Sequence, residues 1–291
     1  MTTNTSADTV LDCRNLTFSY HAHGAHAHDH THEIDHLNLT VRRGEVVVVC
    51  GPNGCGKSTL LKLIMGALRP LHGEIHLLGQ ALDRKTRTEA FRRVGLLFQD
   101  PNDQLFSTHV RADVAYGPTN LDLAPAEIDA RVAQAMELAH VTHLAERPIH
   151  QLSYGEMRRV GLAGLIAMRQ PLLLLDEPSA FLDPSAVRQV VDLIRDLNTG
   201  HGLTFIVVTH HMEMAAQIAS RVVVMRKGTI IADGEPHAIL TDAALLRDAR
   251  LEPPLLTQVF ANAANARGLD VPLTVAEATA LLDQINAEAR P

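Results

Sequence analysis

The chain has 291 residues, of which 46% are hydrophobic and 20% are charged, and its formal net charge is −7. A chain of this length can bury a full core as one large domain and still carry a smaller one. The negative charge argues against a general nucleic-acid binder, because phosphate backbones select basic surfaces. No apolar run approaches the roughly 20 residues that cross a bilayer. Residues 1–6 lack a basic start and an apolar stretch, so no signal peptide is expected.

The N-terminal part of the chain is predicted to be rich in strands. Apolar runs and alternation predict them at residues 11–20, 37–41, 46–50, 74–78 and 94–98. The run Leu60–Met65 predicts a helix directly after a glycine-rich turn. The cysteines Cys13, Cys50 and Cys55 lack the spacing of a metal site, so we expect a reduced protein of the cytoplasm.

A histidine-rich stretch separates the first two predicted strands. It holds seven of the chain's 17 histidines, which are His21, His23, His26, His28, His30, His32 and His36. With little apolar content to bury, residues 21–36 are predicted to form a surface loop. Neutral imidazoles suit Ni²⁺, Co²⁺, Cu²⁺ and Zn²⁺. Because the spacing is irregular, a transition-metal-binding loop and a polar insert that binds metals weakly remain alternative interpretations.

Helical spacing dominates the middle of the chain. Ile128, Val132 and Met136 recur on one helical face, and Pro125 suits the first turn of that helix. We therefore predict an all-helical insert over about 119–168.

Strand signals return after this insert. Short apolar runs predict strands at 172–175 and 203–208, joined by an amphipathic helix at 187–197. Residues 221–225 and 229–232 flank a turn, which predicts a hairpin.

A C-terminal appendage is predicted over 251–291. It begins at Leu251-Glu252-Pro253-Pro254, which breaks the preceding pattern. Thr274 and Glu277 have the spacing of a capping box at the start of its second helix. The apolar faces of its two short helices need a surface to cover them, either the main domain or a second copy.

A phosphate-binding loop is the most specific motif of the chain. Residues 51–59 match the pattern G-x-x-x-x-G-K-[ST] between a predicted strand and a predicted helix. In such a loop backbone N–H groups surround phosphate oxygens, the lysine reaches the β- and γ-phosphates, and the serine holds Mg²⁺. The predicted ATP ligands are Gly51, Pro52, Asn53, Gly54, Cys55, Gly56, Lys57, Ser58 and Thr59. A glycine turn with a chance lysine is the alternative, and the strand–turn–helix context argues against it.

Two carboxylates end the predicted strand at 172–175. The carboxyl ends of strands are where open α/β sheets bind ligands. Asp176 would complete the Mg²⁺ shell, directly or through water, and Glu177 would polarise the attacking water as general base. A carboxylate pair that caps a strand end is the structural alternative.

Further motifs resemble those of the ATP-binding cassette (ABC) ATPases. The segment LSYGE at 152–156 resembles the family's LSGGQ signature, and Gln99 resembles its Q-loop glutamine. Asp183 resembles the D-loop aspartate, and His210 the switch histidine. Tyr20 resembles the A-loop aromatic residue that stacks on adenine. These motifs occur in the family order across residues 11–234.

The resemblance implies an α/β fold. We expect an ABC-type P-loop ATPase core with an antiparallel β subdomain, an α-helical signature subdomain and a small helical C-terminal appendage. The expected boundaries are 1–250 for the ATPase domain and 251–291 for a dimerisation appendage.

The resemblance also implies an ATP hydrolase with ATP and Mg²⁺ as cofactors. Two copies would form a head-to-tail homodimer, in which Ser153 and Gly155 of one copy bind the γ-phosphate held by Lys57 of the other. The implied catalytic residues are Glu177, His210, Gln99 and Lys57, with Gln99 also near Mg²⁺. Tyr154 and Glu156 depart from the family's glycine and glutamine, and Glu156 adds a negative charge near the nucleotide.

A narrower resemblance follows Gln99. Residues 97–107 and 113–118 are similar to energy-coupling factor (ECF) ATPases, the A components of importers for cobalt, nickel and vitamins. This similarity implies a transmembrane T component and a substrate-binding membrane component as partners. It places the protein peripherally on the cytoplasmic face of the cell membrane, without nucleic acid.

The histidine loop is the one clue to cargo. It favours import of nickel or cobalt, with nickel slightly preferred because it ranks higher in affinity for such ligands. A vitamin importer ATPase, a non-transport ABC regulatory ATPase and a metal-buffering protein are the alternatives, although the last leaves the ATPase motifs unexplained.

Overall fold

The computed structural model describes residues 8–20 and 32–288. Its strands are β1 (Thr9–Phe18), β2 (Ile34–Arg42), β3 (Val46–Cys50), β4 (His72–Leu77), β5 (Gln80–Ala81), β6 (Val94–Leu97), β7 (Leu172–Asp176), β8 (Thr204–Thr209), β9 (Arg221–Arg226) and β10 (Thr229–Gly234). Its α-helices are α1 (Lys57–Ile64), α2 (Val110–Thr119), α3 (Pro125–Leu138), α4 (Tyr154–Met168), α5 (Pro184–His201), α6 (Met212–Ile218), α7 (Pro236–Leu240), α8 (Ala243–Asp248), α9 (Leu255–Asn265) and α10 (Val275–Glu288). Most of the predicted metal-binding histidines lie outside the described residues, namely His21, His23, His26, His28 and His30.

A six-stranded sheet forms the centre of the molecule, in the order β10-β9-β3-β8-β7-β6. Neighbouring strands from β9 to β6 are parallel, and β10 pairs antiparallel with β9, which confirms the predicted hairpin. Strand β3 is apolar and buried throughout, as expected for a parallel strand with both faces covered.

Successive residues of the central strands enter two different cores, because side chains alternate across a strand. In β3, Val46 and Val48 belong to the core on the helical side of the sheet, whereas Val47 and Val49 belong to the core on the opposite side. Strands β7 and β8 alternate in the same way. The central sheet is thus held from both faces, and its strand ends keep fixed relative positions.

The second core lies between the central sheet and an antiparallel sheet. This sheet has four strands in the order β2-β1-β4-β5. Leu11 of β1, Leu37 of β2 and Leu60 of α1 share that core with Val47 and Val49. The antiparallel β subdomain expected from the sequence is confirmed.

The helical subdomain begins earlier than the predicted boundary near 119. Helix α2 already starts at Val110, and Val110, Val114 and Pro118 form its buried face. Gly117 and Pro118 resemble helix breakers in the sequence, but Pro118 lies in the last turn, where the helix ends in any case. In the part of the chain that the structure describes, no helix is long and apolar enough to cross a bilayer.

The appendage consists of α9 and α10, and it contacts the main domain on one side. Leu273 joins the main core. Within the appendage, the Thr257 hydroxyl donates a 2.9 Å hydrogen bond to the Pro272 carbonyl. Thr274 caps α10 by accepting from the Glu277 amide, while Glu277 accepts from the amide of Leu273. The appendage also exposes large apolar side chains, at Leu255, Val259, Val275 and Leu282.

Candidate active site

The ends of four adjacent parallel strands bring the predicted catalytic residues together. Strands β3, β8, β7 and β6 are neighbours, and their carboxyl ends lie at one edge of the sheet. The phosphate-binding loop follows β3, His210 follows β8, and Gln99 follows β6. Asp176 ends β7, with Glu177 directly after it. Residues far apart in the sequence therefore meet where such sheets bind ligands.

The phosphate-binding loop depends on Gly56, which precedes α1. Its φ of 108° lies in the region that favours glycine, and a Cβ added there would be 2.3 Å from the Glu33 carbonyl oxygen. Helix α1 starts at Lys57, so its free N–H groups and positive dipole end face the loop. The loop is thereby shaped for an anion such as phosphate.

The Lys57 ammonium lies inside this loop and is buried. Its Nζ donates to the carbonyl oxygens of Gly51 at 2.7 Å and Pro52 at 3.1 Å. The two acceptors are neutral, so the positive charge of Lys57 is available to phosphate oxygens.

Ser58 and Asp176 form the predicted Mg²⁺ site. The Ser58 hydroxyl lies close enough to the Asp176 carboxylate to favour its charged form. Burial raises the pKa of Asp176, and the nearby Glu177 charge adds to this effect, whereas Ser58 and Lys57 oppose it. Asp176 Oδ1 is buried, and no hydrogen-bond partner for it occurs among residues 8–20 and 32–288. A carboxylate oxygen beside a hydroxyl is a donor set that Mg²⁺ accepts, so the residues fit the ion.

Glu177 is buried and held by both of its carboxylate oxygens. Oε1 lies 2.8 Å from His210 Nδ1, and Oε2 accepts from the Thr209 hydroxyl at 3.2 Å. Its backbone is left-handed (φ 45°), and its amide donates to the Val208 carbonyl at 2.9 Å. A non-glycine residue in this region is strained, and such strain concentrates at functional sites. The carboxylate is therefore oriented by its neighbours, as a general base must be.

Tyr20 lies two residues beyond the end of β1, and Glu33 connects it to the phosphate-binding loop. Its amide donates to Glu33 Oε2 at 3.0 Å, and the carbonyl oxygen of Glu33 faces Gly56. The Tyr20 side chain is about half exposed, with its ring edge-on to Phe18. This position suits an aromatic platform for a base attached to phosphates in the loop.

The signature segment forms the N-terminus of α4. The Ser153 side chain accepts from the Glu156 amide, and Glu156 Oε2 accepts from the Ser153 amide at 2.7 Å, which completes a capping box. Burial acts to raise the pKa of Glu156, but hydrogen bonds from Ser153 and the charge of Arg147 outweigh it and the pKa is lowered. The extra negative charge is thus neutralised locally by the helix start and by Arg147, 3.1 Å away. A Cβ at Gly155 would lie 3.0 Å from Ala186 Cβ, so glycine allows close approach to α5.

Ser153, Gly155 and Asp183 line a separate cavity of about 460 Å³, which we call the signature cavity. Its remaining lining comes from the first turn of α4, from α5 and from the turn before α5. The Asp183 carboxylate caps α5 by accepting from the amides of Ser185 and Ala186. Within one chain, the predicted ATP ligands therefore fall into two groups.

Arg158 is a site residue that sequence reasoning missed. It is fully buried in α4, and its guanidinium donates to the carbonyl oxygens of Phe98 and Gln99. Burial lowers the pKa of Arg158, while Asp100 and Asp176 act to raise it. Arg158 thus ties the signature helix to the backbone of Gln99, whose side chain is exposed beyond β6. Thr209, the partner of Glu177, was missed as well, although it lies next to His210.

Two predicted metal-loop histidines are within the described residues. His36 lies in β2, and its Nδ1 is 2.9 Å from Asn15 Oδ1. His32 precedes that strand. Over residues 8–20 and 32–288, no three His, Cys, Asp or Glu side chains are grouped for a metal ion.

Comparisons with known proteins agree with this geometry. Residues 34–180 match the family model for the ABC transporter. The cobalt import ATP-binding protein CbiO of Rhodobacter capsulatus is 44% identical over 80% of this chain and 84% of its own length. The ECF transporter ATP-binding protein EcfA of Methanoculleus marisnigri is 36% identical over 92% of this chain and 95% of its own length.

Solved structures show the same fold. The structure of CbiO1 from Clostridium perfringens, part of the CbiONQ transporter complex, has a TM-score of 0.74 and 34% identity, and covers 84% of this chain and 95% of its own. The dimeric cassette MJ0796 bound to ADP and phosphate has a TM-score of 0.68 and 25% identity, over 78% of this chain and 98% of its own. This chain therefore belongs to the ABC transporter family, as an ATP-binding, ATP-hydrolysing subunit of the group that includes the ECF and cobalt-import ATPases.

Proposed function

We propose that this protein couples ATP hydrolysis to uptake of a transition-metal cation, nickel or cobalt, through membrane partner subunits. The convergence of Lys57, Ser58, Asp176, Glu177 and His210 at adjacent strand ends is the observation that carries ATP hydrolysis. The similarity to a cobalt import protein supports a metal cargo.

The chemistry follows from the residues at the strand ends. Lys57 and the N-terminus of α1 bind and orient the terminal phosphates. Mg²⁺, held by Ser58 and Asp176 with Gln99 nearby, would neutralise charge on the phosphate oxygens. Glu177 accepts a proton from the attacking water, and its contacts with His210 and Thr209 keep the carboxylate aimed.

We propose that the site is shared between two copies arranged head to tail. The signature cavity, at the starts of α4 and α5, supplies Ser153 and Gly155, while the phosphate-binding loop follows β3. A second copy would bring its own signature cavity over this loop. The dimeric arrangement of MJ0796 with ADP and phosphate supports this proposal.

A groove beside α4 fits a transmembrane partner. Its cavity of about 580 Å³ is lined mainly by apolar side chains, including Leu105, Phe106, Ile149, Leu152 and Met157. Phe106 is 65% exposed, and its ring meets that of Tyr116 edge-on at 4.5 Å. Exposed aromatic rings at an apolar cavity are typical of protein interfaces. We name this surface the docking groove and propose that it binds a helix of the T component on the cytoplasmic face of the membrane.

The cargo proposal also uses the histidine-rich segment 21–36, because imidazole-rich segments bind Ni²⁺ and Co²⁺. An ECF ATPase that serves a vitamin importer is the second candidate, because this chain is also similar to EcfA proteins, whose names do not restrict the cargo to a metal.

Uptake by cells tests these proposals. Cells with the native chain and its membrane partners are expected to accumulate radioactive Ni²⁺ or Co²⁺, and cells with Glu177→Gln are expected to lose this uptake. The variant keeps the size of Glu177 and one of its two acceptor oxygens, but the amide cannot accept the proton, so ATP binding is expected to survive while hydrolysis falls about a hundredfold or more. Undiminished hydrolysis would show that Glu177 is not the base. Vitamin uptake in place of metal uptake would select the second candidate.

A further inference from the structure

The first turn of α4 separates the docking groove from the signature cavity. Leu152 and Met157 line the groove, whereas Ser153 and Gly155 line the cavity. The two surfaces thus share the short segment 152–157. A conformational change of this segment at one surface would therefore alter the other.

A hydrogen bond joins these surfaces directly. Asn102 lines the docking groove, Tyr154 lines the signature cavity, and Asn102 Nδ2 donates to the Tyr154 hydroxyl at 3.2 Å. Asn102 is also held by Asp100, because Asp100 Oδ1 accepts from its backbone N at 2.9 Å and from its Nδ2 at 2.8 Å. A displacement of Tyr154 would therefore act on a groove side chain whose position is set by these hydrogen bonds.

Tyr154 also contacts the turn that carries Asp183. Its ring lies 6.0 Å from that of Phe181, which is 70% exposed and has a left-handed backbone with φ 63°. A group that enters the signature cavity meets the rings of Tyr154 and Phe181 together. A ligand in the signature cavity would therefore contact Tyr154 directly and could change the position of its ring.

The role of Tyr154 differs from that of Arg158 on the same helix. Arg158 already holds the backbone of Phe98 and Gln99, at the start of the segment that follows β6. Tyr154 contacts the same segment farther along the chain, at Asn102, which lines the docking groove. The net contribution of a single hydrogen bond is small beside the stability of the whole fold, so its main effect is on local arrangement.

We propose that Tyr154 is a positioning residue that links occupation of the signature cavity to the conformation of the docking groove through Asn102. This inference rests on the proposed function, which assigns ATP to the cavity and a membrane partner to the groove. Tyr154, which departs from the family's signature pattern, is thereby the contact between the signature cavity and the docking groove.

Hydrogen exchange of the full chain tests the link without a membrane partner. In a Glu177→Gln background that retains ATP, ATP is expected to slow amide exchange in peptides covering residues 100–107. Tyr154→Phe keeps the ring and removes only the hydroxyl. Loss of one hydrogen bond of ordinary net strength predicts that exchange in these peptides becomes roughly three- to tenfold faster with ATP bound. Asn102→Ala should have the same effect, and the double variant should add nothing further.

Tyr116→Phe is the matched control, since within the described residues its hydroxyl has no hydrogen bond and should leave the ATP effect unchanged. The inference is overturned if residues 100–107 respond to ATP equally in the Tyr154→Phe and native backgrounds, if they do not respond at all, or if the two substitutions are additive. Peptides covering residues 51–59 and 181–186 separate the two proposals. Protection of 51–59 by ATP shows that the phosphate-binding loop holds nucleotide, and protection of 181–186 shows that the signature cavity is occupied as well. When both are protected in every variant, a failure at 100–107 concerns Tyr154 alone, whereas a loss of protection at 181–186 concerns the shared site.

Discussion

Single residues at the active site are held in backbone conformations that their neighbours enforce. Glu177 is left-handed with both carboxylate oxygens engaged, and Gly56 adopts a φ of 108° against the carbonyl oxygen of Glu33. At both positions tertiary contacts offset a local cost, which is the usual arrangement at functional sites. In both cases the contact that holds the backbone conformation comes from residues more than 20 positions away in the sequence.

Gly56 provides a test of this arrangement. Gly56→Ala should destabilise the fold by about 3 kcal/mol or more, because a Cβ would collide with backbone as well as strain φ. Gly44→Ala is the matched control, since Gly44 also has positive φ (76°) but nothing lies within 4 Å of an added Cβ. That variant should lose only about 1 kcal/mol. Thermal unfolding without nucleotide measures both, and equal losses would show that the Glu33 contact is unimportant.

Arg158 is expected to affect activity more than stability. Arg158→Met removes the hydrogen bonds to Phe98 and Gln99 but also relieves the cost of a buried charge, so the net change in stability should be small. Without these hydrogen bonds the backbone at Gln99 is less well positioned, and small misplacements of residues at an active site slow catalysis. The rate of ATP hydrolysis should therefore fall about tenfold. Arg158→Lys keeps the charge but lacks the planar fork of donors. Full activity in the lysine variant would mean that charge, rather than bidentate bonding, is what matters.

At the scale of elements, the appendage is covered on one side only. Within this chain Val259 of α9 and Val275 of α10 are largely exposed, although both lie on short helices that need a packed face. The predicted face of α9, which includes Leu256, Phe260 and Ala263, is only partly covered. We therefore propose that this surface contacts a second copy.

Charge placed on this surface tests the assignment. The double variant Val259→Asp, Val275→Asp should weaken self-association by at least tenfold, because each valine buried in an interface contributes on the order of 1.5 kcal/mol. Sedimentation velocity over a range of protein concentrations measures the change. Gln284→Asp adds charge at an exposed polar position of α10 and should leave association unchanged. Equal association of the double variant and the native chain would exclude the appendage as a dimer contact.

For the whole molecule, a site shared between copies predicts complementation. Lys57→Ala disables the phosphate-binding loop, and Gly155→Asp fills the signature cavity, so each variant alone should be inactive. A mixed dimer contains one site built from the intact loop of one copy and the intact signature of the other. After subunit exchange, an equal mixture should recover about a quarter of native ATP hydrolysis, since half the dimers are mixed and each has one intact site of two. No recovery despite exchange would mean that each chain uses its own signature.

The sequence by itself determined the central strands, the phosphate-binding loop and the carboxylates Asp176 and Glu177. These features are local, because apolar runs, glycines and a strand-end acid pair reflect chemistry within a few neighbouring residues. The start of the helical subdomain at Val110 was missed for a local reason too, since Gly117 and Pro118 resemble helix breakers until their place in the last turn is known.

Only the tertiary structure decided which side chains act together. Arg158 holds Phe98 across 60 residues of sequence, Tyr154 meets Asn102 across 52, and Glu177 meets His210 across 33. Neither hydrophobic periodicity nor motif spacing predicts such pairs, because they depend on how the strands are ordered in the sheet and how α4 packs against it. The physical reason is that a side chain's partner is set by three-dimensional packing, whereas its own type is set in the sequence.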